Sequence, residues 1–143
     1  MPIRPEHRSL YPVDWPILSA SIRFERAAGR CEGCGRPHGR QVLQANDGRW
    51  FDRARGVWRD GRGAEAPRPV KPYRLRLVFV RLAACHLDHD PTNNDPTNLR
   101  AWCQRCHLGH DREEHRRRAA ITVLLRRACG DLFAGPYGVP GIG

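Results

Sequence analysis

Lysine is nearly missing from this chain: of 25 basic residues in 143 only Lys71 is a lysine, so the positive charge is almost wholly guanidinium. Acid is scarce too, with 15 carboxylates, and the formal net charge is +10. A GC-rich genome would explain arginine over lysine, but not base over acid. Planar, multi-donor arginine suits phosphate, so a polyanion, nucleic acid above all, is the expected partner. No apolar run approaches membrane-spanning length, and Met1 to Leu10 lacks the pattern of a secretory signal. A cytoplasmic protein with no membrane partner is therefore expected. Repeats are also lacking, apart from two similar cysteine pairs.

The chain is long enough for one domain with a modest core that a staple would help. Six cysteines offer one, and four of them form two Cys-x-x-Cys pairs, Cys31/Cys34 and Cys103/Cys106. Without a secretion signal such pairs read as a metal site rather than disulfides. Four thiolates complete a tetrahedral Zn2+ shell with no open position, which makes the site structural. In Cys31-Glu32-Gly33-Cys34-Gly35 the glycines let the backbone curl so that both sulfurs face one point. Cys85 reads as a buried thiol at a strand end, and Cys129 as a small core residue on a helix face.

In chain order, residues 1–13 hold three prolines and no periodicity, and read as an irregular arm. A helix is predicted over 14–29, with Asp14 as cap, Pro16 in the first turn and Trp15, Leu18 and Ile22 on one face before Gly29. Residues 44–72 form an insertion rich in Arg and Gly with Trp50, Phe51 and Trp58 interleaved. Asn46-Asp47-Gly48 signals a hairpin there, and Pro67, Pro69 and Pro72 a linker. Either its arginines track phosphates or its aromatics pack on the body. Leu75 to Ala84 is apolar enough for one strand ending at Cys85-His86. A basic helix is predicted over 111–129, with Asp111 and Glu114 as a capping pair and Ile121, Leu124, Leu125 and Ala128 at helical spacing. Arg112, Arg116 and Arg117 on it are DNA-binding candidates. Residues 130–143 read as a flexible tail, and His7, His38 and His115 as surface residues.

The chain is organised around residues 84–107. A loop dense in His, Asp, Asn and Pro follows the apolar run, and Cys103-Gln104-Arg105-Cys106-His107 closes it. Pro91 and Pro96 stiffen this loop, while Asn93 and Asn94 tolerate unusual backbone angles. Over about residues 31–111 this order resembles the HNH endonucleases, through His86-Leu87-Asp88, Asn94, Asn98-Leu99 and Trp102-Cys103-Gln104-Arg105-Cys106-His107. The resemblance implies an α+β fold with a ββα-metal core, stapled here by the four-cysteine zinc.

It also implies metal-dependent hydrolysis of phosphodiester bonds in DNA, double-stranded DNA being the simplest substrate. His86 would be the general base, Asn98 would orient the base or the loop, and His107 would hold a catalytic Mg2+ or Mn2+. A neutral imidazole suits proton abstraction near pH 7, and a divalent cation suits a phosphoryl oxygen. Two registers stay open. Either His86 is the base with Cys85 before it, or Asp88 binds the metal and His89 is the base. Asp88 and His89 are thus further candidates for the site, and so is His110, three residues after His107 on one helical face. A double-strand break needs two sites or two sequential nicks, so a homodimer on DNA is one arrangement this reading admits. The rival readings are a non-catalytic zinc-stabilised nucleic-acid-binding module, and a nuclease acting on RNA or branched DNA.

Overall fold

The computed structural model describes residues 3–70 and 74–134. The chain divides into two compact units, the first ending at His107 and the second beginning at Leu108. In the first unit a 3-10 turn, Pro5–Leu10, precedes helix α1, Trp15–Ala20, which widens into a π-helical turn, Ser21–Arg26. Six strands follow: β1 (Gln41–Ala45), β2 (Trp50–Asp52), β3 (Val57–Arg59), β4 (Leu75–Phe79), β5 (Leu82–His86) and β6 (Leu99–Cys103). Helix α2, Gln104–Ala134, begins directly after β6 and continues through the second unit. The fold is mixed α+β, with an antiparallel four-stranded sheet in the order β3-β2-β1-β4 and a separate antiparallel hairpin, β5-β6. Among the described residues no helix is long and apolar enough to cross a membrane.

The segment 44–72 is the source of most of this sheet. Gly48, at φ +97, closes the turn between β1 and β2, where Asp47 accepts hydrogen bonds from the Arg49 amide and Nε at 3.0 and 2.7 Å. Trp50 pairs with Arg59, Phe51 with Trp58 and Asp52 with Val57, so the aromatics divide between the two faces of the sheet. Trp50 is fully buried among Val42, Val80, Leu82 and the cysteines, whereas Phe51 and Trp58 are half-buried and tilted against each other at 5.5 Å. Gly63, at φ +87, lets the chain beyond β3 press on the first cysteine pair, since a Cβ there would lie 2.8 Å from the Cys34 carbonyl oxygen. Pro72 and Lys71 lie outside the described residues.

The run from Leu75 to Ala84 makes two strands rather than one. At Val80 the backbone exchanges hydrogen bonds with the segment before β1: the Val80 amide donates to Arg40 O at 2.9 Å, and the Gly39 amide donates to Val80 O at 2.8 Å. The Leu82 amide then donates to His38 Nδ1 at 3.0 Å. His38 is thus no free surface residue but the acceptor at the corner where the chain changes sheets. Burial first, then the charges of Arg23 and Arg81, lower its pKa, which keeps Nδ1 available.

The helical elements also depart from expectation. The predicted helix over 14–29 is shorter and ends as a π-helical turn, and Asp14 makes no side-chain cap. Its apolar face does pack: Ile22 is buried with Leu99 and Ala101, flanked by Trp15, Leu18, Ala27 and Ala84. Helix α2 starts at Gln104 instead of 111, so Asp111 and Glu114 lie inside it and not at its first turn. It also runs through Gly130, because one interior glycine costs only about 1 kcal/mol. Part of the expected tail is therefore helical, and residues 135–143 lie outside the described set. Ile121, Leu124, Leu125 and Cys129 are exposed, so the face expected to be core is open.

Asp52 is a buried carboxylate held by Arg59 Nε at 2.9 Å, with Arg30 and Arg55 at 3.8 and 3.9 Å. Burial alone would raise its pKa; the Arg59 hydrogen bond and the Arg30 and Arg59 charges carry it below the usual carboxylate value instead. A depressed folded pKa contributes stability above the unfolded value of 3.8 and loses it as the pH falls through the folded one. Asp52→Asn is expected to cost about 2 kcal/mol at neutral pH. In urea titrations the native protein should lose this advantage below about pH 4, and a pH-independent difference between the two would contradict the assignment.

Candidate functional site

Two arrangements in the first unit carry chemistry. In the first, Cys31, Cys34, Cys103 and Cys106 come together with all four sulfurs within 4.8 Å of one another, and Cys34 Sγ lies 3.6 Å from Cys103 Sγ. The first pair sits on a tight turn, in which the Gly35 amide donates to Cys31 O at 2.8 Å and the Cys31 amide donates to Arg36 O at 2.9 Å. The second pair spans the junction of β6 and α2, where one helical turn brings Cys106 back beside Cys103. Hydrogen bonds between Glu32 and β6 join the halves: the Glu32 amide donates to Ala101 O at 2.8 Å, and the Ala101 amide donates to Glu32 Oε1 at 3.0 Å.

Amides also address the sulfur of Cys31, that of Cys103 at 3.2 Å and that of Gly33 at 3.4 Å. A side chain at Gly33 would crowd the cluster, since a Cβ would lie 3.0 Å from Cys106 Sγ. The close sulfurs compete for protons. Hydrogen bonding with Cys103 draws the Cys31 thiol strongly down and drives the Cys34 and Cys106 thiols up, while Cys106 lowers Cys103 to about 6. Among the described residues no cysteine forms a disulfide. Four soft donors, three of them buried, at this spacing are compatible with a structural metal ion.

The second arrangement is the end of β5 and the loop 87–98. His86 is the last residue of β5, opposite Leu99 of β6. Its ring stacks on Trp15 at 5.2 Å and 17°, and Tyr11 meets it edge-on at 5.7 Å. His86 Nε2 lies 3.0 Å from Asn94 Oδ1. Asn94 Nδ2 faces the carbonyls of Pro91 and Thr92 at 3.2 and 3.3 Å, which makes Oδ1 the atom turned to the ring. An amide oxygen only accepts, so Nε2 is the donor in this contact.

Asn98 serves the loop and not the ring. Its Nδ2 donates to Asp88 Oδ1 and to Asn93 O, both at 2.9 Å, and its Oδ1 accepts from the Asp88 amide at 3.3 Å. Asp88 also accepts from Asn93 Nδ2 at 2.8 Å and from the Asp90 amide at 2.9 Å. The Asn93 and Asn98 hydrogen bonds, with the Asp90 amide, hold this exposed carboxylate at a pKa of about 2. His89 follows in the loop with φ +60, in the left-handed region. Asp90 and Asp95 each cap a local turn through Thr92 and Thr97.

His107 lies half-buried in the first turn of α2, directly after Cys106. His110 lies one turn further on, in the second unit, where Arg112, Arg116 and Arg117 are exposed. Arg117 pairs with Glu113 at 3.6 Å. The structure therefore brings together the four cysteines, and it groups His86 with Asn94 and Asp88 with Asn93 and Asn98. Tyr11 and Trp15 are the members that sequence reading missed. Trp15 stood on a helix face, but nothing in the spacing links that face to a ring 71 positions later. Cys85 is buried, with its thiol 3.4 Å from Ala83 O.

No family model, curated protein or solved structure matches this chain. The chemistry of the site accordingly rests on its own geometry.

Purified protein is expected to hold close to one transition-metal ion per chain by elemental analysis. Cys34→Ser and Cys106→Ser should lose that ion and melt at lower temperature. Metal-free protein with an unchanged melting curve would contradict a structural role.

Proposed function

We propose that this protein is a metal-dependent endonuclease of the HNH type that hydrolyses phosphodiester bonds in DNA. The observation that carries this reading is the hairpin β5-β6 running straight into α2, with a histidine whose Nε2 faces Asn94 at the end of its first strand and another in the first turn of the helix. Three further features support it. The charge of +10 suits a polyanionic substrate. The loop between the strands is held by its own Asp and Asn side chains. The cysteine cluster gives that hairpin and helix a rigid base.

In this reading His86 Nδ1 takes the proton of the attacking water, while Asn94 keeps Nε2 protonated and Trp15 holds the plane of the ring. The imidazolium formed is stabilised by Asn94 Oδ1 and by the face of Trp15. His107 offers an imidazole for Mg2+ or Mn2+, with Asp88 and His89 as neighbours. A bound divalent cation would supply charge stabilisation at the phosphoryl and leaving oxygens. Of the two registers, the one with His86 as base is favoured. Both carboxylate oxygens of Asp88 already accept from Asn93, Asn98 and the Asp90 amide, and His89 stands on a left-handed turn. Duplex DNA is the substrate assigned, with Arg112, Arg116 and Arg117 as candidates for phosphate contacts, and the reducing cytoplasm as the compartment that keeps the thiols free.

For the cysteine cluster we assign Zn2+, which takes four thiolates in a closed tetrahedral shell. Arg36 supports this assignment. It is buried two residues after Cys34, with its guanidinium 5.5 Å over Trp50; NH2 donates to Gln44 Oε1 and Gly48 O, while Nε and NH1 have no partner among the described residues. A divalent cation with four thiolates carries a net charge of −2, the counter-charge that a buried guanidinium needs.

One observation favours a second reading. A ring packed between Trp15, Tyr11 and Asn94 would also suit a core histidine in a non-catalytic nucleic-acid-binding module. A plasmid-nicking assay with Mg2+ or Mn2+ separates the two. His86→Ala is expected to lower the nicking rate by roughly 10²–10⁴-fold without loss of zinc, and Asn94→Ala to lower it by less. Native, zinc-loaded protein that binds DNA and never nicks it would establish the module instead.

A further inference from the structure

A cavity of about 850 Å3 opens beside the four-stranded sheet, where β1 begins and β2 ends, and none of its lining residues belongs to the β5-β6 hairpin or its loop. Phe51 and Phe79 give it apolar walls, and Arg30, Arg40 and Arg53 line it with positive charge. Phe79 is 46 % exposed. The acid in the lining, Asp52, is buried and already engaged by Arg59 and Arg30, so it offers a ligand no free negative charge. Arg40 and Arg53, by contrast, are exposed, and among the described residues their guanidinium groups make no hydrogen bond or ion pair. The cavity therefore presents unmatched cations next to a partly exposed aromatic ring, one side of which the Arg81 guanidinium covers at 5.3 Å.

That combination selects a ligand with phosphate and a flat apolar part. The volume falls in the range of about 300–1,000 Å3 typical of small-molecule sites, so it suits a nucleotide and not a duplex. We propose that this cavity takes an unpaired nucleotide of a DNA strand, its base against Phe79 and its phosphates on Arg40 and Arg53. The inference rests on the nucleic-acid reading above and adds a second anchoring point, outside the hairpin, that distinguishes single-stranded from duplex substrate. Base stacking on an aromatic ring tolerates any sequence, so the site would grip without reading bases.

The test uses full-length, zinc-loaded protein carrying His86→Ala, so that no probe is cut, and measures fluorescence anisotropy with a labelled oligothymidine and a duplex of equal length. Phe79→Ala is expected to weaken single-strand binding about tenfold and duplex binding less than twofold, with Phe79→Trp restoring it. Arg40→Gln with Arg53→Gln should flatten the dependence of log affinity on log salt by on the order of 0.7 for each phosphate no longer neutralised. Melting curves identify any variant that fails to fold, and Phe79→Leu then keeps the apolar volume without the ring. Equal losses for single strand and duplex, no loss for any Phe79 variant, or binding of an RNA strand but not of DNA would overturn the proposal. Nicking by the native protein is measured alongside. A failed cavity leaves the nuclease reading standing, and tight single-strand binding without nicking counts against that reading alone.

Discussion

Four sulfurs within 4.8 Å of one another tie a turn at residues 31–34 to the junction of β6 and α2, across some seventy residues of intervening chain. Thiols packed this closely share protons badly, and a divalent cation relieves that conflict by taking all four as thiolates. Much else follows from this convergence. Trp50, Val42, Val80 and Leu82 pack around the cysteines, so the four-stranded sheet and the hairpin share one core. Glu32 bonds to Ala101, and Gly33 leaves space for Cys106, because any looser approach would separate the two halves.

The same junction sets where α2 begins. Cys103 ends a strand and Cys106 must return to it within three residues, a step that a helical turn supplies. His107 is therefore placed by the cysteines, while His86 is placed by β5, by its pairing with Leu99 and by the Trp15 stack. Between them runs a loop whose carboxylates and amides satisfy one another. Asp88 is its hub, and its low pKa expresses how many donors it gathers. A loop held this way loses little entropy when it meets a ligand, which suits the binding of a cation or a phosphate.

How much of this was legible in the sequence differs by element. The cysteine pairs were, because Cys-x-x-Cys twice in one chain leaves few other readings. So were the Asn46-Asp47-Gly48 hairpin and the buried face of Trp15, Leu18 and Ile22, where turn chemistry and period suffice. The break at Val80 was not, since an apolar run does not say which sheet each half joins; that depends on His38 and Gly39, some forty residues earlier. The start of α2 was misread for a related reason. Asp111 and Glu114 imitate a capping box, but tertiary geometry at the cysteines overrides local propensity. The exposed Ile121, Leu124 and Leu125 show the limit of periodicity, which finds a helix face but not what covers it. Tyr11 and Trp15 against His86 are long-range contacts that no local pattern encodes.

The proposed chemistry makes one demand, that the His86 ring stand beside the cation that His107 would hold. Titrating zinc-loaded protein with Mn2+ while observing the histidine ring signals by NMR tests it most directly. The account predicts that the His86 and His107 signals broaden together at substoichiometric Mn2+, and at lower Mn2+ than those of His7 and His115. If both rings stay sharp, or if only one responds, His86 does not stand beside the ion of His107, and the nuclease reading fails however well the cysteines hold their metal.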